Sequence, residues 1–332
     1  MPAGCHPAAG TAQTTVGPRR MGAFLVKRLL FSIVTLFTVL TLVFVVIRIV
    51  PGDPAQVILG DQADATAIAA LRARLGIDRP LFEQYVSFLS GALRGDWGVS
   101  LVTGRPVIQE IVAVLPWTLE LTAVSMVLGC LIGIPLGVWA AINRNRMPDY
   151  LTRMVSLVGL SFPPFVSAIL LLIGFSLALR WFPVISGNRS TWWAWFQSIA
   201  LPSLNLGLIM AAYITRVTRS AMLEVMQEDY VRTARAKGVP WRVIVWRHAL
   251  RNALIPVVTV VGLYLGILIG NSVLTEIVFN RPGLGKLIIG ALSQRDYMML
   301  QGMMVIYTLI VVFVNVLTDI TYAVIDPRVK LS

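Results

Sequence analysis

The segment Asp229–Pro256, DYVRTARAKGVPWRVIVWRHALRNALIP, is basic, broken by a glycine and set between two runs of almost pure hydrocarbon. At Gly238-Val239-Pro240 a helix stop is followed at once by a helix start: glycine accepts a left-handed cap, and proline suits a first turn. A plain tether between apolar runs needs no pair of amphipathic pieces. The segment therefore reads as a folded cytoplasmic platform built to touch something.

The rest of the chain explains why a platform is needed. Its 332 residues are 57% hydrophobic and only 13% charged, whereas soluble proteins carry roughly 25% charged residues. The net charge of +12 is spread between apolar runs rather than gathered on one soluble face, which speaks for membrane topology and against nucleic acid. Cys5 and Cys130 form neither a disulfide framework nor a metal cluster. Residues 1–20, rich in Ala, Gly, Pro and Thr, read as a disordered extension, with Met21 a candidate start. The apolar run after Lys27 is too long for a signal-peptide core and reads as a first span.

A span needs about 20 mostly apolar residues. Six stretches qualify: Leu29–Val50, Leu119–Ile142, Leu151–Leu179, Ile199–Thr215, Ile255–Thr275 and Met303–Val324. The connections alternate in charge, with seventeen Lys and Arg on one side against ten on the other. The richer side is cytoplasmic by the positive-inside rule, which puts both termini inside. The expected fold is an all-α integral membrane protein of six transmembrane helices. Its parts are a first helix with a long external connection (21–116), a five-helix core (117–325) holding the cytoplasmic loop 216–254, and a short tail (326–332).

The external connection Pro51–Pro116 predicts two short helices. One carries Ile68, Leu71 and Leu75 and stops at Gly76; the other starts near Pro80 and carries Tyr85, Phe88 and Leu89. They serve either as a structural cover or as a contact for an external partner. Trp192, Trp193 and Trp195 precede the fourth span, where aromatic rings anchor at headgroup level or stack on a ligand.

Glycines recur every four residues at Gly129, Gly133 and Gly137, and again at Gly262, Gly266 and Gly270. Such smooth faces let helices approach closely, or else line a path. Intramembrane polar residues mark function when they are not satisfied locally. Asn271, Asn315 and Asp319 stand near span ends, Asn205 is more central, and Arg48 is close enough to an interface to snorkel. No buried chain of carboxylates suggests a proton relay, which weakens an ion-coupled carrier.

Catalytic signatures are scarce. The chain has only His6 and His248, and no HExxH or glycine elbow. The sequence PGLGKL at Pro282–Leu287 lacks the first glycine of a phosphate loop, with Asn280 in its place, and has Leu287 where Ser or Thr is needed. No ATP site and no metal site is expected in this chain. Within the platform, Tyr230, Ala234 and Lys237 share a helical face, and Arg247 and Arg251 stand one turn apart. An interfacial helix held by anionic lipid is the competing reading, though it has little need of the glycine break.

Tyr230–Gly238, YVRTARAKG, with Arg247–Pro256, RHALRNALIP, resembles the coupling loop of binding-protein-dependent ABC importer permeases of the dipeptide/oligopeptide/nickel branch. The resemblance runs over nearly the whole chain from Met21. It includes PGDPA (Pro51–Ala55), LGIDRPLFEQY (Leu75–Tyr85), GDWG (Gly95–Gly98), VFNRPGLGKL (Val278–Leu287), RDY (Arg295–Tyr297) and DPR (Asp326–Arg328). The wider family's loop has Glu-Ala-Ala, Gly after three residues, then Ile-x-Leu-Pro after nine. Here Arg232, Thr233 and Ala234 precede Gly238, and His248, Leu250 and Arg251 follow, departures that look like the peptide/nickel branch.

The resemblance implies a type I importer permease in the bacterial cytoplasmic (inner) membrane, not itself an enzyme. It implies a heterodimer with a homologous permease, two ABC ATPase subunits that bind ATP and Mg, and an external solute-binding protein. The ATPase-coupling residues it implies are Asp229, Tyr230, Arg232, Thr233, Ala234, Arg235, Ala236, Lys237, Gly238, His248, Leu250 and Arg251. The implied cargo is a di- or oligopeptide, with glutathione or a nickel chelate as alternatives.

Overall fold

The computed structural model describes residues 18–49, 54–60, 63–187 and 189–325. The expected disorder of most of the extension, the start of PGDPA and the tail DPR lie outside them. Helices account for nearly all of it, and the extended pairing among the described residues is an isolated bridge between Val99 and Pro106.

Helix α1 (Pro18–Ile49) leads into the external connection, which holds α2 (Pro54–Leu59), α3 (Ala65–Leu75) and α4 (Leu81–Arg94). Both expected short helices are present, and α3 ends on Gly76 at φ +68°. The α4 face packs against α1: Tyr85 and Phe88 meet the Phe44 ring at 5.1 and 5.9 Å. The Tyr85 and Thr41 hydroxyls pair at 2.6 Å. Arg48 is exposed. It lies over the Phe44 ring and donates to Gln84 Oε1 at 3.2 and 3.3 Å.

Helix α5 (Val107–Ile142) is followed by α6 (Met147–Ser161) and then α7 (Pro164–Leu171), which continues as a π segment over Leu172–Ala178. The sequence reads Leu151–Leu179 as one span, but α6 and the α7 segment meet at 101°. Phe162 precedes two prolines and is pushed out of helical geometry to ψ 129°, which makes the corner. Helix α8 (Trp192–Val225) spans 34 residues, twice the expected core, and begins with Thr191 accepting a cap from the Ala194 N–H at 3.1 Å.

Helix α9 (Asp229–Ala236) stands alone. Helix α10 (Trp241–Val243) runs through a π turn (Ile244–Ala249) into α11 (Leu250–Val278), and the three form one continuous 38-residue span. Helices α12 (Leu284–Ser293) and α13 (Tyr297–Ile325) complete the chain. Four of these, α5, α8, the α10–α11 run and α13, are long and apolar enough to cross a membrane, and the bent pair makes a fifth if it crosses as one span. The sixth expected span falls on α1, where the apolar run among described side chains is the shorter Leu30–Val46.

The core lies where α5, α8 and α11 meet. Leu121, Leu206, Met210, Ile214, Val257 and Leu268 are buried together there. The α5–α8 seam is close because it is nearly bare of side chains on the α5 side. A Cβ on Gly129 would stand 2.7 Å from Met210, on Gly133 2.8 Å from the Ala211 carbonyl, and on Gly137 2.7 Å from the Thr215 carbonyl. A second core joins α5, α12 and α13 through Val107, Ile111, Leu284, Met299 and Met303.

Candidate functional site

Helix α9 ends in a two-bond cap. Val239 N–H donates to the Ala234 carbonyl at 3.2 Å and Gly238 N–H to the Arg235 carbonyl at 3.0 Å, while Gly238 turns at φ +74°. This reciprocal pairing is how a helix closes on a left-handed glycine. The helix is held from below by Val231, only 1% exposed, and lies against the π turn of the α10–α11 run. Asn252, in the first turn of α11, donates to the Tyr230 hydroxyl at 2.7 Å. Arg235 lies 4.6 Å over the Trp241 ring.

The outward surface of α9 is polar. Arg232, Thr233, Arg235, Ala236 and Lys237 are exposed and Ala234 is half-buried. Asp229 pairs loosely with Arg232 at 3.4 Å, and Thr233 Oγ1 donates to the Asp229 carbonyl at 2.9 Å. Along the expected Tyr230–Ala234–Lys237 face Tyr230 is 40% exposed, Ala234 half-buried and Lys237 exposed.

The second half of the expected loop is not a separate helix. Arg247 and Arg251 are exposed, one turn apart, and His248 is half-buried within the π turn. Leu250 is buried with Val245, Ala249 and Ala253 against α5 and α8. A π turn shifts side-chain register by one residue and often marks a functional position. Here Ile244, Val245 and Ala249 are buried while Arg247 is exposed.

Asp149, at the start of α6 and fully buried, braces the same end of α8. Arg219 grips it with two bonds of 2.6 and 2.8 Å, Asn145 N–H donates at 2.9 Å, and Arg153 stands at 3.6 Å. The bidentate fork fixes orientation as well as charge.

The remaining sequence candidates are scattered. Gly129, Gly133 and Gly137 lie in the α5–α8 seam, and Gly262 is tight against Thr318 of α13. Gly266 and Gly270 face open space. Asn271 is half-buried, Asn315 exposed, and the Asp319 side chain lies outside the described residues. Asn205 is fully occupied. It takes a bond from Ser167 at 2.6 Å and donates to Pro164 and Thr275 at 3.1 and 3.2 Å, tying α7, α8 and α11 together. Among the described residues, no three His, Cys, Asp or Glu side chains gather to hold a metal ion.

Two polar clusters at the far end of the bundle escaped the sequence. Glu276, 0% exposed, accepts from Thr118 Oγ1 at 2.6 Å and from Gly285 N–H at 2.7 Å; Thr118 in turn accepts from Leu284 N–H at 2.9 Å. The glycines of PGLG are there because a Cβ on Gly283 would strike the Glu276 carboxylate. Glu120 collects Arg281 at 2.6 Å, Arg189 and the Trp195 indole N–H. Burial pushes the Arg281 guanidinium below its ordinary value, and the Glu120 charge acts against that. Trp195 thus has a bonding role, while Trp192 and Trp193 remain exposed.

Comparison with known proteins agrees with this architecture. Residues 133–331 match the family described as binding-protein-dependent transport system inner membrane component, and residues 21–122 match its N-terminal membrane component. The glutathione transport system permease protein GsiC of Escherichia coli (strain K12) is 43% identical over 307 residues, covering 92% of this chain and 98% of its own. The same protein from Shigella dysenteriae serotype 1 shows the same figures. Among solved structures, the MetNI methionine ABC transporter in inward-facing conformations aligns with a TM-score of 0.57 at 20% identity, covering 66% of this chain and 97% of that one. An amino acid ABC transporter solved with histidines aligns at 0.50 and 14%, covering 65% of this chain and 94% of that one. At such identities these two speak for the fold alone. The chain belongs to the binding-protein-dependent transport system inner membrane components, the permease subunits of ABC importers.

Proposed function

We propose that α9 is the element through which partner ATPases drive this permease. ATP and Mg bind in those partners, and α9 enters a groove on one of them. Six spans, with α1 as the first, leave both termini and α9 in the cytoplasm. A homologous permease completes a heterodimer, and an external binding protein delivers the solute. The cargo is peptide-like, as in the glutathione permease relatives, with glutathione itself the first candidate.

The observation that carries this reading is the construction of α9. It is a short helix, closed by its own cap and tied by Tyr230–Asn252 to the start of a continuous span. A helix that lies in lipid needs an exposed apolar face. In α9 Val231 is buried against the protein, and the Tyr230 ring, 40% exposed, is the one large apolar group that reaches solvent, amid the exposed Arg232 and Arg235. That disfavours lipid as the occupant and favours a protein groove.

Replacing Ala234 with Trp, or Gly238 with Pro, is expected to abolish uptake while the protein remains at normal levels in the membrane. Uptake of labelled glutathione, a dipeptide and a nickel chelate by the complete importer reads both the coupling and the cargo. Normal uptake in both variants would sink the docking role.

A further inference from the structure

Between α6 and the α9-proximal half of α8 lies a cavity of about 330 Å³. Its polar lining is Thr152, Arg153 and Ser156 from α6 with Thr215, Arg216 and Arg219 from α8; Leu157 and Leu160 supply an apolar wall. We propose that this cavity binds an anionic head group joined to an apolar body.

The charge there does not balance. Asp149 serves both Arg219 and, more distantly, Arg153. Arg216 makes no ion pair among the described residues; the cationic contact it does make is with the Tyr213 ring at 5.9 Å. Two guanidinium groups thus share one carboxylate, and a third, Arg216, has none, beside a partly apolar cavity.

The hydroxyl groups tell the same story independently. Thr152 is committed to the Pro148 carbonyl at 2.7 Å and Thr215 to the Gly133 carbonyl at 3.2 Å. Ser156 is 8% exposed, yet its hydroxyl has no hydrogen-bond partner among the described residues. Ser156 lines the cavity, so its hydroxyl is free to donate to a ligand there. An oxyanion in the cavity would accept from Ser156 and Arg216 together, and charge-assisted bonds of this kind are the strong ones. Leu157 and Leu160 would cover a hydrocarbon body, so a bare hydrophilic ion fits less well.

Two sources share that chemistry. One is an anionic phospholipid of the leaflet on the α9 side, since basic pockets between spans bind such head groups. The other is the free carboxylate of a peptide-like solute leaving the pathway. Neither depends on α9 docking, and the full chain alone in detergent suffices for the test.

Equilibrium binding is measured with dioctanoyl phosphatidylglycerol, dioctanoyl phosphatidylcholine and the dipeptide leucyl-leucine as probes. Arg216→Gln and Ser156→Ala both spare the Asp149–Arg219 brace, and Arg216→Lys keeps the charge. At least one anionic probe is expected to saturate the chain and to bind about tenfold more weakly to Arg216→Gln. Ser156→Ala should weaken it too, Arg216→Lys should retain most of it, and phosphatidylcholine should not distinguish the variants. Which anion binds identifies the source. The proposal is overturned if neither anion saturates, or if Arg216→Gln and Ser156→Ala bind it as the natural chain does.

Discussion

At Gly238 the backbone turns at φ +74° with open space where a Cβ would stand. The penalty for a side chain there is conformational rather than steric. Gly238→Ala is expected to weaken the α9 cap by about 1–2 kcal/mol, and Gly238→Asn by less, because asparagine visits the left-handed region more readily. Faster proteolysis near Lys237 in the alanine variant would report it; equal protection in both variants would contradict it. Asp149 presents the opposite case, a buried charge held by its partners. Asp149→Asn leaves Arg219 uncompensated and should cost about 3 kcal/mol, read as a lower thermal midpoint in detergent. The stop at Gly238 was legible because a glycine followed by Val239-Pro240 carries its mechanism in the residue types. The seat at Val231 was not: one helical turn offers several equivalent faces, and only the position of the π turn selects among them. Glu276 and Glu120 look in sequence like ordinary acids at the ends of apolar runs, since their side-chain partners Thr118, Arg189, Trp195 and Arg281 lie more than sixty residues away.

Among the elements, the two glycine series have separated. Gly133→Leu should prevent α5 and α8 from closing, because even its first carbon would meet the Ala211 carbonyl and Ile214 at 2.8 Å. Gly270→Ala meets nothing in this chain and should leave the detergent-solubilised protein as stable as before. Comparing their yields and thermal midpoints checks both; equal behaviour would mean that the seam is looser than its geometry. Hydropathy located the apolar elements well but misjudged their lengths and shapes. The corner at Phe162 was written in its two prolines, yet the surrounding hydrocarbon outweighed them in a span-length window. Helix α8 runs past Thr215 into a stretch where Asp149 pairs with Arg219, a partner that a tally of local charge does not see. The basic half of the platform is the opening of α11 for a similar reason: Val245 and Ala249 are buried inside it, while the arginines alternate outward.

For the whole molecule, orientation is the proposition most directly open to trial. With Cys5 and Cys130 replaced, Lys237→Cys should react with a membrane-impermeant maleimide only after spheroplasts are opened, and Leu93→Cys, on a side chain 87% exposed, should react while they are intact. The reverse pattern would invert the topology. The purified chain alone should show no saturable nucleotide binding, whereas it should co-purify with ATPase subunits when they are expressed together. The continuous run from Trp241 to Val278 carries a mechanical implication. Its 38 residues measure about 57 Å, and it begins beside α9 and ends at the Glu276 knot that clasps Thr118 and the turn into α12. If α9 is where a partner pushes, this run is a connecting rod with a hand at each end, and a shove on α9 would reach the Glu276 latch without passing through a loop.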